Sequence, residues 1–377
     1  MPSIINNILQ KDNLARDDII TLLNVSDLAD MELIRLAAEK ILLDKCGNKV
    51  FYRGLIEFSN YCACDCYYCG IRKSNNAVKR YTLSKDEIIS AAKWCAEEGY
   101  GSVVLQSGER RDAAFVDFVE DVITQIKLST ISEKLPDGAG ITLSVGEQEP
   151  QAYERFYKVG AHRYLLRIEA SDPRLFASIH PPEQNLQSRI ACLKTLREIG
   201  YQVGTGVMIG IPGQTVENLA DDILFFKDMD VDMIGMGPYI VHNSTPMNIH
   251  ADYYNNSKEK IFQTALLMIA VCRLALKDVN IASTTALQAM KDDGREEGLR
   301  YGANVIMPQT TPTEVRRDYL LYEGKPCLDE NAKQCRTCLE MRVKSVGREV
   351  AVDEWGDSRK ALKRKVKVNK TKIILSL

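Results

Sequence analysis

From about residue 50 the chain alternates short runs rich in β-branched and aromatic residues with helix-length amphipathic stretches, and it completes that alternation eight times. Such a rhythm leaves few folds open, because each strand and helix bury their apolar faces together only when helices cover a parallel sheet. The predicted strands are residues 50–58, 102–106, 140–144, 163–169, 203–209, 233–237, 281–285 and 303–307. Several follow a glycine placed to end the preceding helix, as Gly99, Gly160, Gly200 and Gly302 are in EEGYGSVVL, KVGAHRYLL, EIGYQVG and YGANVIM. The helix after the first strand opens with a capping box, Ser84 to Glu87. Eight units match a closed barrel, whereas an open doubly wound sheet more often has about five to seven strands. The expected fold is therefore an α/β (βα)8 TIM-type barrel with N-terminal helices and a C-terminal cysteine-containing extension.

The domain division follows the same rhythm. Residues 1–49 carry helical spacing in DDIITLLN and MELIRLAAEKILL and are expected to pack on the bottom or side of a barrel spanning 50–310. Residues 311–345 form an extension with a group of cysteines, and 346–377 read as a solvated basic tail ending in SRKALKRKVKVNKTKIILSL. With 49 Lys and Arg against 51 Asp and Glu, nothing favours binding nucleic acid through its phosphates. The first thirty residues hold no signal-peptide core, and no run reaches the roughly 18 apolar residues of a membrane span. The expectation is a cytoplasmic protein without membrane or nucleic-acid partners.

Eleven cysteines in a reducing compartment point to metal or redox chemistry more than to disulfides. Cys46, Cys95, Cys192 and Cys272 are isolated, and the last three lie in apolar helical patterns that read as core. Four histidines leave little material for a His-rich zinc site or a Ser-His-Asp triad. In EFSNYCACDCYYCGIR, directly after the first strand, Cys62, Cys66 and Cys69 are spaced Cys-x3-Cys-x2-Cys. A loop there belongs to the catalytic face of a barrel. Three thiolates on a 4Fe-4S cluster leave one iron open to a substrate or cofactor, while a zinc knot would need a fourth ligand that the neighbouring residues do not offer. Cys64 leaves a second register, Cys64 with Cys66 and Cys69, open. A second group, Cys327, Cys335 and Cys338, follows the last strand and reads as an iron-sulfur or zinc site.

The Cys-x3-Cys-x2-Cys spacing with Tyr68 before the third cysteine resembles the signature of the radical S-adenosylmethionine (SAM) enzymes. In order, VLQSGE, TLSVGE, RYLLRIEAS, MIGIPGQT, IGMGPYI, STTA and GANVIMPQTTP are similar to the HydE-type maturases of FeFe-hydrogenase, in the lineage of biotin synthase and methylornithine synthase. This resemblance covers roughly residues 15–345. It implies Cys62, Cys66 and Cys69 as cluster ligands, with SAM bound to the open iron through its amino and carboxylate groups. Implied cofactor contacts are Tyr68, Gln106, Ser107, Glu109, Ser144, Glu169, Arg189 and Met208. Implied substrate contacts are Thr142, Arg167, Thr284, Thr285, Met307, Tyr319 and Tyr322. Cys327, Cys335 and Cys338 match an accessory cluster, 2Fe-2S or 4Fe-4S, that some family members have and others lack.

Residue patterns alone agree in part. Gln106, Ser107 and Glu109 follow strand two, Glu169 ends strand four and Arg189 lies in the next helix, so polar groups converge on one face. Taken singly, Glu109 reads as a helix cap, Arg189 as a surface ion pair, and Thr284 and Thr285 as ordinary strand residues. Strand alternation puts Leu165, Arg167 and Glu169 on one face and Leu166 and Ile168 on the other. HydE-type proteins have His where Ile168 stands, and alternation turns that position toward the helix layer. GTGVMIGIPGQT lacks the lysine of a phosphate loop and reads as close approach of strand five to the adenosyl group.

By resemblance, electron transfer from the reduced cluster splits SAM into methionine and a 5′-deoxyadenosyl radical. Its target would be an iron complex carrying cysteine, carbon monoxide and cyanide, received from a HydG-like maturase and passed to a HydF-like scaffold, with an electron donor. A radical mutase or lyase acting on an amino acid, like methylornithine synthase, is the alternative within the class. The second cysteine group, LLRIE and GANVIMPQTTP favour the maturase. A non-catalytic iron-sulfur carrier is the alternative outside it, opposed by three ligands set among cofactor-type polar residues.

Overall fold

A computed structural model describes residues 4–364. All eight predicted strands are present as β1 Lys49–Ser59, β2 Ser102–Ser107, β3 Gly140–Ser144, β4 Ala161–Leu165, β5 Gln202–Thr205, β6 Met233–Ile234, β7 Asn280–Ile281 and β8 Val305–Ile306. Each pairs in parallel with its neighbour, and β8 pairs back onto β1 with Val305 opposite Phe51. A single bridge between Ala282 and Val305 joins β7 to β8 and closes the barrel. Gly99, Gly160, Gly200 and Gly302 all have positive φ, as their helix-ending role requires. Ser84 and Glu87 form the capping box, with the Ser84 amide donating to Glu87 at 2.7 Å.

The last five predicted strands are shortened at their ends, the seventh and eighth to two residues each. The fourth stops at Leu165, and Glu169, with φ 63°, is in the left-handed region that no strand continues through. The fifth and sixth break after Thr205 and Ile234, and their outer parts, Met208–Ile209 and Gly237–Pro238, pair separately. Here the close approach is backbone to backbone: a Cβ on Gly206 would lie 2.1 Å from the Gly235 carbonyl oxygen. The glycine-rich stretch thus permits this approach.

The N-terminal helices Arg16–Leu23 and Leu28–Lys45 lie on the barrel's side, against Val216–Asp228 and Ala251–Leu276. Arg16 grips Asp221 through Nε at 2.6 Å and Nη2 at 2.9 Å. What closes the floor is the C-terminal segment. Residues Glu349–Ala351 form β9, parallel to β1. Beyond them, Trp355, Gly356 and Asp357 receive the inward-pointing, fully buried Arg53 and Arg163: Arg53 Nη2 donates to the Gly356 carbonyl at 3.0 Å, and Arg163 Nη1 donates to Trp355 O at 2.9 Å and to Asp357 at 2.7 Å. Asn280 Nδ2 adds a bond to Gly356 O at 2.8 Å. Burial of these guanidiniums is opposed by hydrogen bonds and, for Arg163, a carboxylate, which is what a buried cation needs. Residues 349–364 therefore do not form the solvated tail expected from residue 346. Lys360 pairs with Asp230 at 2.5 Å and Lys363 with Asp278 at 2.7 Å, while residues 365–377 lie outside the described residues.

Candidate active site

The top of the barrel is built from loops that follow the strands. After β1, the loop carrying Cys62, Cys66 and Cys69 is fastened from within: Asp65 accepts from Arg72 at 2.6 Å and from the Ser74 amide at 2.9 Å, and Arg80 donates to the carbonyls of Asn60 and Arg72 at 2.6 Å each and of Ile71 at 2.8 Å. The loop after β2 presses on it, since the Glu109 amide donates to Cys62 Sγ at 3.4 Å and a Cβ on Gly108 would lie 2.3 Å from Tyr61 O. Cys66 Sγ donates to Gln184 at 3.1 Å.

The electrostatics describe a desolvated thiol trio. Burial pushes the Cys66 thiol up to about 12, with Cys62 adding to the rise, and it pushes Cys69 well above the ordinary range, with Cys66 and Cys62 adding again. Cys62 is held down at about 7 by the Cys64 thiol that hydrogen-bonds it. Three sulfurs that oppose one another's ionisation in a dry pocket need a cationic group among them, and an iron-sulfur cluster supplies one. Among the described residues, no three His, Cys, Asp or Glu side chains converge closely enough to hold a single metal ion.

Around the thiols lies a network of charge. Arg189, in the first turn of helix Leu186–Ile199, is buried and donates through Nε to Glu147 at 2.6 Å and through Nη1 to the Arg167 carbonyl at 2.9 Å. Glu147 also accepts from Ser188 at 2.8 Å and Arg111 at 3.2 Å, and its own amide donates to Glu109 at 2.9 Å. Arg167 Nη2 donates to Val207 O at 3.0 Å and lies 2.9 Å from Glu169 Oε2, an ion pair without hydrogen-bond geometry. Burial pushes the Glu169 carboxyl up, against the pull of Arg167 and Arg189. Four buried polar atoms here have no hydrogen-bond partner among the described residues: Arg167 Nε, Glu169 Oε2, His180 Nε2 and Thr284 Oγ1. Orphaned groups gathered at one mouth are what a zwitterionic, ribose-bearing cofactor would satisfy.

The sequence-derived residues separate by depth. Tyr68, Glu109, Glu169 and Arg189 adjoin the thiols or the charge network, while Ser107 ends β2 with its hydroxyl donating to Gly108 O at 2.8 Å. Gln106 at the end of β2 donates to Tyr319 Oη at 3.4 Å, and Tyr322 hydrogen-bonds Thr285. Ser144 ends β3, Met208 opens the outer pair, and Met307 follows β8. Thr142 sits lower, fully buried, accepting from Arg163 Nε at 3.0 Å. Ile168 is fully buried in the main apolar core with Leu166, so the departure from His falls in the layer behind the mouth. Sequence reasoning missed Glu147, Arg111, Gln184 and His180. Glu147 carried a usable signal, being a charged residue three positions past a barrel strand. His180 Nδ1 donates to Phe176 O at 2.9 Å, its ring stacks on Phe176 and meets the edge of Tyr68, and burial pushes its pKa down to about 3.

In the second cysteine group, Cys335 and Cys338 belong to helix Ala332–Ser345 and Cys327 precedes it. Cys335 is buried and Cys338 exposed one turn on, and the Cys335 thiol holds Cys327 down at about 6. Arg342 Nε donates to Cys338 Sγ at 3.4 Å, and Arg316 Nη1 to Cys327 O at 2.9 Å.

A closed parallel barrel with a three-cysteine loop at its C-terminal mouth is the design of a radical SAM enzyme, and residues 56–226 match the Radical SAM superfamily. Over 349 residues the chain is 38% identical to the FeFe hydrogenase maturase subunit HydE of Thermotoga maritima, covering 92% of this chain and 95% of the relative. Over 304 residues it is 25% identical to 3-methylornithine synthase of Methanosarcina acetivorans, covering 79% and 80%. Its fold superposes on the crystal structure of methylornithine synthase (PylB) with a TM-score of 0.77 at 22% identity, covering 93% of this chain and 98% of that one. The chain belongs to the HydE family of radical SAM enzymes, whose cofactors are a 4Fe-4S cluster and SAM.

Proposed function

We propose that this enzyme acts on an iron complex carrying cysteine, carbon monoxide and cyanide during assembly of the FeFe-hydrogenase cofactor, exchanging intermediates with HydG-like and HydF-like maturases in the cytoplasm and drawing on an electron donor. The observation that carries this reading is the 38% identity to HydE over nearly the whole of both chains. When bound, the cluster donates an electron to SAM, whose sulfonium bond to the 5′ carbon breaks to give methionine and a 5′-deoxyadenosyl radical.

Cys62, Cys66 and Cys69 would hold the cluster. Arg189, fixed by Glu147, and Glu169 would hold the methionine and ribose ends of SAM, together with Tyr68, Gln106, Ser107, Glu109, Ser144 and Met208. Arg167, with an unpartnered Nε at the mouth, offers a guanidinium to a substrate carboxylate. Thr284, Thr285, Tyr319 and Tyr322 supply hydroxyls for cyanide or carboxylate groups, Met307 an apolar wall, and Thr142 a hydroxyl deeper in the barrel. Cys327, Cys335 and Cys338 would carry the accessory cluster, of 2Fe-2S or 4Fe-4S type.

The test supplies a synthetic iron dicarbonyl-cyanide-cysteine complex with dithionite and SAM to the reconstituted enzyme. Adenosylated products by mass spectrometry and shifted carbonyl bands in the infrared are expected. An unchanged complex, with rearrangement of lysine or another free amino acid, would replace this reading by a methylornithine synthase-like mutase.

A further inference from the structure

The segment from Asp318 to Lys325 crosses the barrel mouth without forming helix or strand, so side chains and single backbone bonds must fix its position. Three neighbours contribute. Asn60, at the end of β1, donates through Nδ2 to Asp318 O at 2.6 Å. Gly70, just past the third cysteine, donates its amide to Leu321 O at 3.0 Å, and a Cβ there would lie 2.0 Å from Leu320 O. Glu323 donates its amide to Val241 O at 3.2 Å, in the loop beyond Gly237–Pro238. These are ordinary bonds at the segment's edges.

Lys325 is different in kind. Its ammonium is buried and its three donors are all used: on Glu57 Oε1 at 2.6 Å, on Glu57 Oε2 at 2.7 Å, and on the carbonyl of Tyr319 at 3.0 Å. Glu57 projects from β1 on the same side as Arg53, into the barrel, is fully buried, and also accepts from Gln309 Nε2 at 2.7 Å. The Lys325 nitrogen lies 5.2 Å from the centre of the Tyr319 ring. One side chain therefore closes the loop from Tyr319 to Lys325 on itself and bolts it to the barrel wall.

We propose that Lys325 is a positioning residue that locks this segment as a cap over the radical site, holding Tyr319 and Tyr322 inward and keeping water and stray hydrogen donors out. A buried ion pair with every donor satisfied contributes less net stability than specificity of arrangement, since removing either partner strands a charge. That suits a cap that must seat in one place. The inference leans on the proposed function only for what the cap protects; its mechanical half stands without any substrate.

The decisive variant is Glu57→Gln/Lys325→Met, which removes both charges and strands neither. Hydrogen exchange by mass spectrometry on the cluster-free protein should show peptides over 317–326 exchanging at least about ten-fold faster, with barrel strands unchanged. In the reconstituted enzyme, SAM cleavage should continue while deoxyadenosine formed per molecule of the iron-cysteine complex converted rises about three-fold or more. Glu57→Gln alone leaves the buried ammonium without its counter-charge and should exchange at least as fast as the double variant. Unchanged exchange in 317–326 would overturn the proposal, and so would uniform acceleration across the barrel, which would make the pair a pillar of the whole fold. If the parent leaves the iron complex untouched, the proposed function fails while the exchange measurement still decides the cap.

Discussion

Arg189 does not reach the barrel mouth alone: Glu147 holds its Nε at 2.6 Å, while Nη1 is spent on the carbonyl of Arg167 at 2.9 Å. Both side chains are buried, and Glu147 is kept ionised against its burial by Arg189 first and then by Ser188 and Arg111. The guanidinium expected to meet the SAM carboxylate is thus aimed by Glu147, which lies outside the set of residues expected to contact cofactor or substrate.

Glu147→Gln should therefore weaken SAM binding without disturbing the cluster. Losing a buried charge-assisted hydrogen bond is worth about 1.5–3 kcal/mol, so the dissociation constant measured by calorimetry on reconstituted enzyme should rise roughly ten-fold or more. The reduced cluster's electron paramagnetic resonance signal without SAM should be unaltered. An unchanged dissociation constant would mean that Arg189 finds its orientation elsewhere.

Replacing Cys62, Cys66 and Cys69 together by Ala should abolish the change in that signal on adding SAM. Cys64→Ala should keep it, because Cys64 serves here as a hydrogen-bond donor to the Cys62 sulfur. Should Cys64→Ala lose the response and Cys62→Ala retain it, the ligating register would be Cys64, Cys66 and Cys69.

The barrel was legible because its strands and helices repeat two clean periods and its helices end on glycines such as Gly160 and Gly200, whose φ values are 115° and 111°. The loop carrying Cys62, Cys66 and Cys69 was legible because its thiols are close together in sequence. The partners of Glu147 and His180 were not, since Glu147 meets Arg189 across 42 positions and His180 meets the Tyr68 ring from another loop. The floor was hidden for a related reason. Trp355, Gly356 and Asp357 sit in a charged stretch with no period, and only the fold brings Arg53 and Arg163 down onto them. A strand arginine reads the same from sequence whether it points to solvent or into a barrel.

Asp222 gives a pH dependence with a definite sign. It is buried in helix Val216–Asp228, and desolvation pushes its carboxyl up to about 7 although Ser171 donates to Oδ1 at 2.6 and 2.8 Å. A carboxyl whose pKa is higher folded than unfolded binds more protons in the folded state between the two values. Its contribution to stability is present at low pH and is lost as pH rises from about 4 through about 7. Asp222→Asn cannot ionise, so the midpoint of thermal unfolding of the cluster-free variant should gain on the parent by a few degrees between pH 5 and pH 8. A difference that stays constant with pH would place the titration elsewhere.

The accessory cysteines offer the last test, through a residue that is not a ligand. Arg295 is almost wholly buried, and its Nε and Nη1 have no hydrogen-bond partner among the described residues. It acts on both neighbouring thiols, helping to lower Cys327 and working against the rise of Cys335. A buried guanidinium with two unsatisfied nitrogens, faced by the Cys327 thiolate, is costly, and further thiolates bearing an anionic cluster would offset more of that cost. Changing Cys327, Cys335 and Cys338 to Ser should remove roughly a third to a half of the bound iron, depending on cluster type, while SAM cleavage persists. Arg295→Leu should act in opposite directions on the two forms: the cluster-free protein should unfold at a higher temperature than the parent, and the reconstituted protein should retain less iron at the accessory site. A lower unfolding temperature in the cluster-free variant would mean that Arg295 is already compensated, and loss of SAM cleavage in a folded triple-Ser variant would make this cluster an obligatory electron relay.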